Sequence, residues 1–397
     1  MVLYLLVNCP PYKDRTLKAL IGGFRQLLKS NFHIYDFQDG GFREGSPRFE
    51  QDAVCLLYGN LRNYGPQLKS LPESPNMEII RFLESFPGKR FWITRHDSDL
   101  DHYPEDMIMG RKTRYSRPRE IERFEYLLNL FDGLVWFGED LLSNEAPLDL
   151  SPNGEKHWSS EYIDFKRNIL KQTITELKSR FKMRIEYTHC VSKASIHLGR
   201  KTLFHNRRYP IGLVGTLYNT RLYVREVLND LEIKVTPFDS YEAAVLKLNY
   251  AINHLGRIGW GDVRIRNMQK SSRFMSQQLM ISQTRMAWVD PGYFGYLVRK
   301  YFEFSLAGAM LVGQSNKGIE NKGFVKNQNI IESNGKSFSD IIHIDEVERK
   351  ILVNNNLDMI EQVHTGLARA NQIFNATVDN AGEYVFSFRS GQFVRIS

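Results

Sequence analysis

Cysteine is scarce in this chain: Cys9, Cys55 and Cys190 are the three among 397 residues. An odd number at wide spacing excludes a disulfide framework and a zinc knuckle, and fits a reducing compartment, so a cytoplasmic location is expected. Long apolar runs are missing too. No stretch approaches the ~18 residues that a membrane-spanning helix requires, so no transmembrane segment is expected. The opening MVLYLLVNC is apolar but has no basic flank and is short for a signal peptide; it reads as a first buried strand. Neither G-x-S-x-G nor G-x-x-x-x-G-K-[ST] occurs, and Cys190 follows His189 directly without a plausible third partner. Serine-hydrolase, cysteine-protease and P-loop chemistries are thereby set aside. There is no visible internal repeat, no low-complexity tract and no helix-turn-helix, zinc-finger or single-strand-binding signature.

What is present is an ordinary globular composition, 42% hydrophobic and 25% charged, with a generous 12% of aromatic residues. The length corresponds to about two domains. A net charge of +8 and a pI near 9.2 favour an anionic partner, whether a phosphate ligand, a nucleic acid or a membrane surface.

Strand-like and helix-like segments alternate. Residues 3–7, 32–37, 53–59, 90–97 and 133–138 read as short buried strands, and 17–28, 77–86 and 120–131 as helices. Such alternation argues for a parallel sheet covered on both faces. The pattern loosens between 140 and 160, where NEAPLDLSPNGEKHW is rich in turn formers, and a long polar helix is expected over 160–183. Alternation then restarts: strands at 209–216, 232–238 and 284–290, helices at 220–231 and 242–255, then the helix and strand of VRKYFEFSLAGAMLVGQ (298–314) and one long helix at 355–374. The expected fold is α/β, with two Rossmann-like domains facing a central cleft. The expected boundaries are 1–185 and 186–375, with a tail, 376–397, packing back on the first domain.

In open α/β sheets ligands sit beyond the carboxyl ends of the strands, so strand-to-helix junctions are where chemistry is sought. GLVGTLYNTR (212–221) offers Gly215 for a tight turn, Thr216 as a donor and Arg221 in the first helical turn, a set suited to phosphate; a capped helix with a solvated Arg is the plainer alternative. DPGYFGYLVRKYFE (290–303) places Arg299, Lys300 and Glu303 within two turns, with Arg299 and Glu303 four residues apart on one face. As an exposed pair they would contribute little; as a site, the two cations would face a diphosphate and the carboxylate would accept from sugar or ribose hydroxyls.

RKYFEFSLAGAMLVGQ, the following NKGIENKGFVKNQNIIES with Gly323, Phe324 and Asn329, and HTGLARANQIF with His364 and Arg369 together resemble the donor domain of GT-B glycosyltransferases of the glycogen-synthase-like, retaining type, over roughly residues 209–375. The resemblance implies that Glu303 binds ribose or sugar hydroxyls, and that Arg299 and Lys300, with the Gly215–Thr216 loop and Arg221, hold the diphosphate. The donor it implies is a UDP- or GDP-type sugar, used without a tightly bound cofactor and without a required metal. One departure stands out: the second acidic residue that the family often carries earlier on this helix has no clear counterpart, since Asp290 lies too far back.

In the first half, His96 and Asp97 follow the strand RFWITRHD, where a first domain would face the reacting sugar; the dipeptide resembles one in phage enzymes that α-glucosylate hydroxymethylcytosine in DNA. Asp97-Ser98-Asp99 and Asp99-Leu100-Asp101 match a D-x-D form that elsewhere holds a divalent cation, but two Rossmann halves speak against that class and no metal site is expected. GRKTRYSRPRE (110–120) and RIGWGDVRIRNMQKSSRF (257–274) are basic stretches suited to a polyanion or to solvent. The expected activity is therefore transfer of a sugar from a nucleotide-diphosphate sugar to a hydroxyl of a glycan or lipid-linked acceptor, with peripheral membrane contact compatible with the basic loops. DNA carrying hydroxymethylated pyrimidines is the alternative acceptor, and sugar-nucleotide epimerisation an alternative reaction.

Overall fold

The computed structural model describes residues 1–8, 15–37, 49–59, 74–94, 126, 128–137, 168, 175, 179–181, 183–192, 206–213, 219–233, 281–291, 297–335, 338–378, 383–387 and 392–395. In chain order the elements are β1 (Val2–Asn8), α1 (Arg15–Leu28), β2 (Phe32–Asp36), β3 (Ala53–Gly59), α2 (Ser74–Ser85), β4 (Lys89–Ile93), β5 (Gly133–Phe137), β6 (Met183–Tyr187), β7 (Tyr209–Gly212), α3 (Asn219–Asp230), β8 (Thr284–Val289), α4 (Lys300–Leu306), β9 (Met310–Gly313), α5 (Lys317–Glu320), β10 (Ile330–Glu332), α6 (Ser339–Ile342), α7 (Glu346–Val363), α8 (Gly366–Val378), β11 (Glu383–Ser387) and β12 (Gln392–Arg395).

The chain folds as two compact units. Among the described residues the first is built on a sheet ordered β12-β11-β6-β5-β4-β3-β1-β2, parallel throughout except for the terminal β11–β12 pair. The order β2-β1-β3-β4-β5 is the doubly wound arrangement of flavodoxin type. Alternation along β1 explains its two covered faces. Leu3, Leu5 and Val7 pack with Leu17, Leu20 and Phe24 of α1 and Ala370 and Ile373 of α8. Tyr4 points the other way, into a ring cluster with Phe49, Phe82 and Phe86, at centroid distances of 5.8, 6.3 and 5.6 Å. Helices α1 and α8 cross without side chains between them: a Cβ on Gly23 would meet the Gly366 carbonyl oxygen at 2.1 Å, and one on Gly366 the Ala19 oxygen at 2.1 Å.

In the second unit the described strands run β10-β9-β8-β7, all parallel. One face buries Ala287, Val289 and Leu311 against Tyr301, Phe302 and Leu306 of α4 and Ile360 of α7. The other buries Ile211, Trp288 and Val312 against Val224 and Leu228 of α3 and Leu352 of α7. The expected α/β class with parallel sheets is thus observed.

Three differences from the sequence expectation have physical causes. Residues 355–374 do not form one helix: α7 ends at Val363 and α8 begins at Gly366. His364 turns inward, its Nε2 2.9 Å from the Lys322 carbonyl oxygen and its ring 4.9 Å from that of Phe302, while the Thr365 hydroxyl accepts from the Ala368 amide and starts a new helix. The break also marks the change of unit. Val191–His364 belongs to the second unit and Thr365–Ser397 to the first, because α8 packs on α1 and β11 pairs with β6. Among the described residues the chain therefore passes between units at Cys190–Val191 and His364–Thr365, where the sequence suggested 185–186 and 375–376. Finally, Met183–Tyr187 is a strand at the end of the stretch expected to be helical. The strand expected at 232–238 from residue 234 onward, the helix expected at 242–255 and both basic stretches lie outside the described residues.

Candidate functional site

The carboxyl edge of the second unit's sheet gathers the charged residues that the sequence singled out. Strand β8 is buried along nearly its whole length, and the chain leaves it at Asp290, 1% exposed. A carboxylate so far from water needs a cation, and Arg221 supplies it. Arg221 lies three and seven residues before Val224 and Leu228, on the apolar stripe of α3, so its side chain is directed into the protein. Its Nε donates to Asp290 Oδ2 at 2.8 Å and its Nη2 to Oδ1 at 3.2 Å, a two-pronged pair with Arg221 2% exposed. This is not the solvated Arg of the plainer alternative: the side chain is buried and two of its donors are engaged by Asp290.

Helix α4 follows eleven residues after Val289 at its first residue, and Tyr301 through Leu306 are all buried. Its apolar surround fixes it tightly. Phe302 meets Phe324 edge-on at 5.1 Å and the Tyr301 hydroxyl donates to the Gln314 carbonyl at 2.6 Å. The C-terminal turn closes through Gly308, at φ +67°, with Ala309 N donating to the Phe304 oxygen at 3.0 Å. Arg207 completes it: Nη2 donates to the Ala307 oxygen at 2.6 Å, and Nη1 to Gly308 and Thr284 oxygens at 3.0 and 2.8 Å. Burial, and then the Arg349 charge, lower the Arg207 pKa to about 10. The small residues Ala307 and Ala309, both buried, let this end lie against the sheet.

On this rigid helix Arg299 Nε stands 2.9 Å from Glu303 Oε1, and Glu303 is buried while Arg299 keeps partial solvent contact. The pair is therefore not the exposed surface bridge that spacing alone allows. Lys300, next to Arg299 in the chain, is half-buried. Burial first, and the Arg221 charge second, hold its pKa well below the usual lysine range; Asp290 and Glu303 pull in the opposite direction. The Tyr301 hydroxyl is pushed well above the usual tyrosine range by burial and then by Asp290. Arg221, Asp290, Lys300, Tyr301 and Glu303 thus share one electrostatic neighbourhood.

The remaining residues of the family-like segments brace the fold. Asn329 Nδ2 donates to the Gly323 oxygen at 2.6 Å, and Asn356 Nδ2 to the Asn329 oxygen at 2.5 Å. Phe324 fills the space between Phe302 and His364. Arg369, fully buried, belongs to the first unit and donates to Gln372 Oε1 at 2.9 Å. His96, Asp97, Gly215 and Thr216 lie outside the described residues. Asp290 was not singled out as a site residue by the sequence; the available signal was an acid placed directly after a fully apolar strand, with an Arg on an otherwise apolar helical stripe elsewhere. Among the described residues no group of three or more His, Cys, Asp or Glu is placed to hold a metal ion, and no helix is long and apolar enough to cross a membrane.

No protein-family model and no curated protein matches this chain. Among solved structures, it is similar to Anabaena HepE in complex with UDP and glucose, at 12% identity over 96% of this chain and 100% of that one, with a TM-score of 0.47. It is also similar to an α-glucosyltransferase in complex with UDP and a 13-mer DNA, at 8% identity over 95% and 99% of the two chains, TM-score 0.46. A third is TarM, at 10% identity over 91% of this chain and 58% of that chain, TM-score 0.38.

Proposed function

We propose that this chain transfers a sugar from a nucleoside-diphosphate sugar to a hydroxyl acceptor. The observation that carries the proposal is the placement of Arg299, Lys300 and a buried Glu303 beside the Arg221–Asp290 pair, at the carboxyl edge of a parallel sheet. In the reaction the bond from the anomeric carbon to the diphosphate oxygen breaks and its electron pair stays with the phosphate. The acceptor oxygen bonds to that carbon, and its proton passes to the departing diphosphate and from there to solvent. Negative charge develops on the leaving diphosphate, where Arg299 supplies a cation and Lys300 becomes one as the donor's anionic diphosphate draws a proton onto it. Glu303 accepts from donor hydroxyls, and Arg221 acts through Asp290 and through its charge on Lys300. In this reading the Gly215–Thr216 loop completes the diphosphate site, and His96 and Asp97 stand beside the reacting sugar.

The acceptor we favour is a glycan or lipid-linked hydroxyl, and the donor nucleotide UDP or GDP. The test is incubation with a panel of sugar nucleotides, first without acceptor, then with glycan and lipid-linked acceptors and with hydroxymethylated duplex DNA. Donor consumption that depends on one of these acceptors is expected. A donor epimerised without any acceptor, or no donor consumed under any condition, would refute the proposal.

Lys300 gives a pH prediction. An anion beside it favours the ammonium form, so donor binding takes up a proton whenever the pH lies above the depressed pKa of the free protein. Affinity then falls as the pH rises through that region. Calorimetric titration in buffers of different ionisation enthalpy should register the uptake, and Lys300→Met should remove it. Folding shows the opposite slope. The folded pKa lies below the unfolded value of about 10.4, so between the two the unfolded chain holds more protons, and stability rises with pH there.

A further inference from the structure

Gln314 is the first residue beyond β9 and is 6% exposed. Its backbone is fixed on both sides: the amide donates to the Val289 oxygen at 3.0 Å and the carbonyl accepts the Tyr301 hydroxyl at 2.6 Å. Gly313 before it, at φ +149°, brings the strand end so close that a Cβ would lie 1.9 Å from the Val289 oxygen. Its side chain is another matter. Among the described residues neither Oε1 nor Nε2 has a hydrogen-bond partner. A buried amide with both atoms unpaired is rare in native cores, because each group has given up water for nothing in return.

Strand register locates that amide. Trp288 pairs with Val312 and Val289 with Gly313, so Asp290 and Gln314 follow in the same phase. Val289 and Leu311 belong to the face covered by α4, Trp288 and Val312 to the face covered by α3. Alternation therefore puts Asp290 and Gln314 on the α3 side, which for Asp290 the bond to Arg221 bears out. The unpaired amide stands one strand over from the ion pair, at the edge where the donor is proposed to bind.

An amide offers one donor and one acceptor side by side, the complement of the hydrogen-bonding edge of a nucleobase, as glutamine uses elsewhere against bases. Glu303, charged and accepting only, suits hydroxyls instead. We infer that Gln314 reads the nucleobase of the donor through such a paired contact and sets which nucleotide the site takes. This inference rests on the sugar-nucleotide reading of the site.

The test measures binding of UDP, GDP, ADP, CDP and inorganic pyrophosphate to the full chain and to Gln314→Leu and Gln314→Glu variants. The wild type is expected to prefer one nucleoside diphosphate. Both variants should bind it roughly 10- to 100-fold more weakly, about what two neutral hydrogen bonds supply, with pyrophosphate affinity unchanged. The leucine variant should also unfold at no lower temperature than the wild type, since no satisfied bond is removed. Nucleotide preference retained in both variants would overturn the assignment of Gln314 alone. So would parallel loss of pyrophosphate affinity, which would indicate general damage to the site. If the wild type binds none of the four nucleotides, the sugar-nucleotide reading fails and Gln314 loses its role with it.

Discussion

Glu303→Ala is expected to lower sugar transfer by about 10²–10⁴-fold while leaving the protein folded. The carboxylate is buried and held by Arg299 at 2.9 Å, so its oxygens are oriented before any ligand arrives. Two charge-assisted hydrogen bonds to donor hydroxyls contribute about 1.5–3 kcal/mol each, and 1.4 kcal/mol is tenfold, which gives that range. Structural damage should be small, because Arg299 keeps contact with solvent and can be hydrated once its partner is gone. Arg299→Ala should lose transfer comparably, by removing a cation from the diphosphate and the group that orients Glu303. A purely structural ion pair makes a different prediction. The double variant lacking both side chains would then leave no unpaired charge and would transfer sugar at the wild-type rate. Measuring kcat/KM for the three variants beside their thermal unfolding separates the two accounts.

How much of this was legible in the chain depends on how local the cause is. Strands such as Val2–Asn8 and Ala53–Gly59 are short apolar runs bounded by turn formers, and burial on both faces leaves little else for them to be. Met183–Tyr187 alternates Arg184 and Glu186 with apolar residues, and after a long polar helical stretch that alternation is too brief to stand out. Ile330–Glu332 is three residues long and forms because Leu311–Gly313 lies beside it. The break at His364–Thr365 is made by a carbonyl forty-two positions earlier and by a change of unit that local pattern does not signal. The site divides in the same way. Arg299, Lys300 and Glu303 share one helix start, so spacing revealed them. Asp290 and Gln314 acquire meaning only from the neighbouring strand and from α3, and the pairing of Arg221 with Asp290 left no sign in a sequence that offered Arg221 as a phosphate ligand or a solvated cation.

That buried pair carries the largest expected effect on stability. Asp290→Ala leaves the Arg221 guanidinium, 2% exposed, without its carboxylate, and removing one partner of a buried pair costs about 3–5 kcal/mol. Hydrogen exchange should show the loss in β8, β9 and α3, with the strands of the first unit much less affected. Donor affinity at neutral pH should fall as well: Asp290 supports the Lys300 cation and Arg221 opposes it, so an unbalanced Arg221 drives Lys300 further toward the neutral amine. Replacing both residues at once, Arg221→Met with Asp290→Leu, removes the stranded charge and should restore most of the protection. It also lifts the stronger of the two influences on Lys300, since the Arg221 charge outweighs that of Asp290 there. If Arg221 acts only through Asp290 and Lys300, the double variant binds the donor within about tenfold of the wild type, a difference of 1.4 kcal/mol. If instead the guanidinium touches the diphosphate, stability returns and affinity does not, and Arg221 joins Arg299 and Lys300 as a direct ligand.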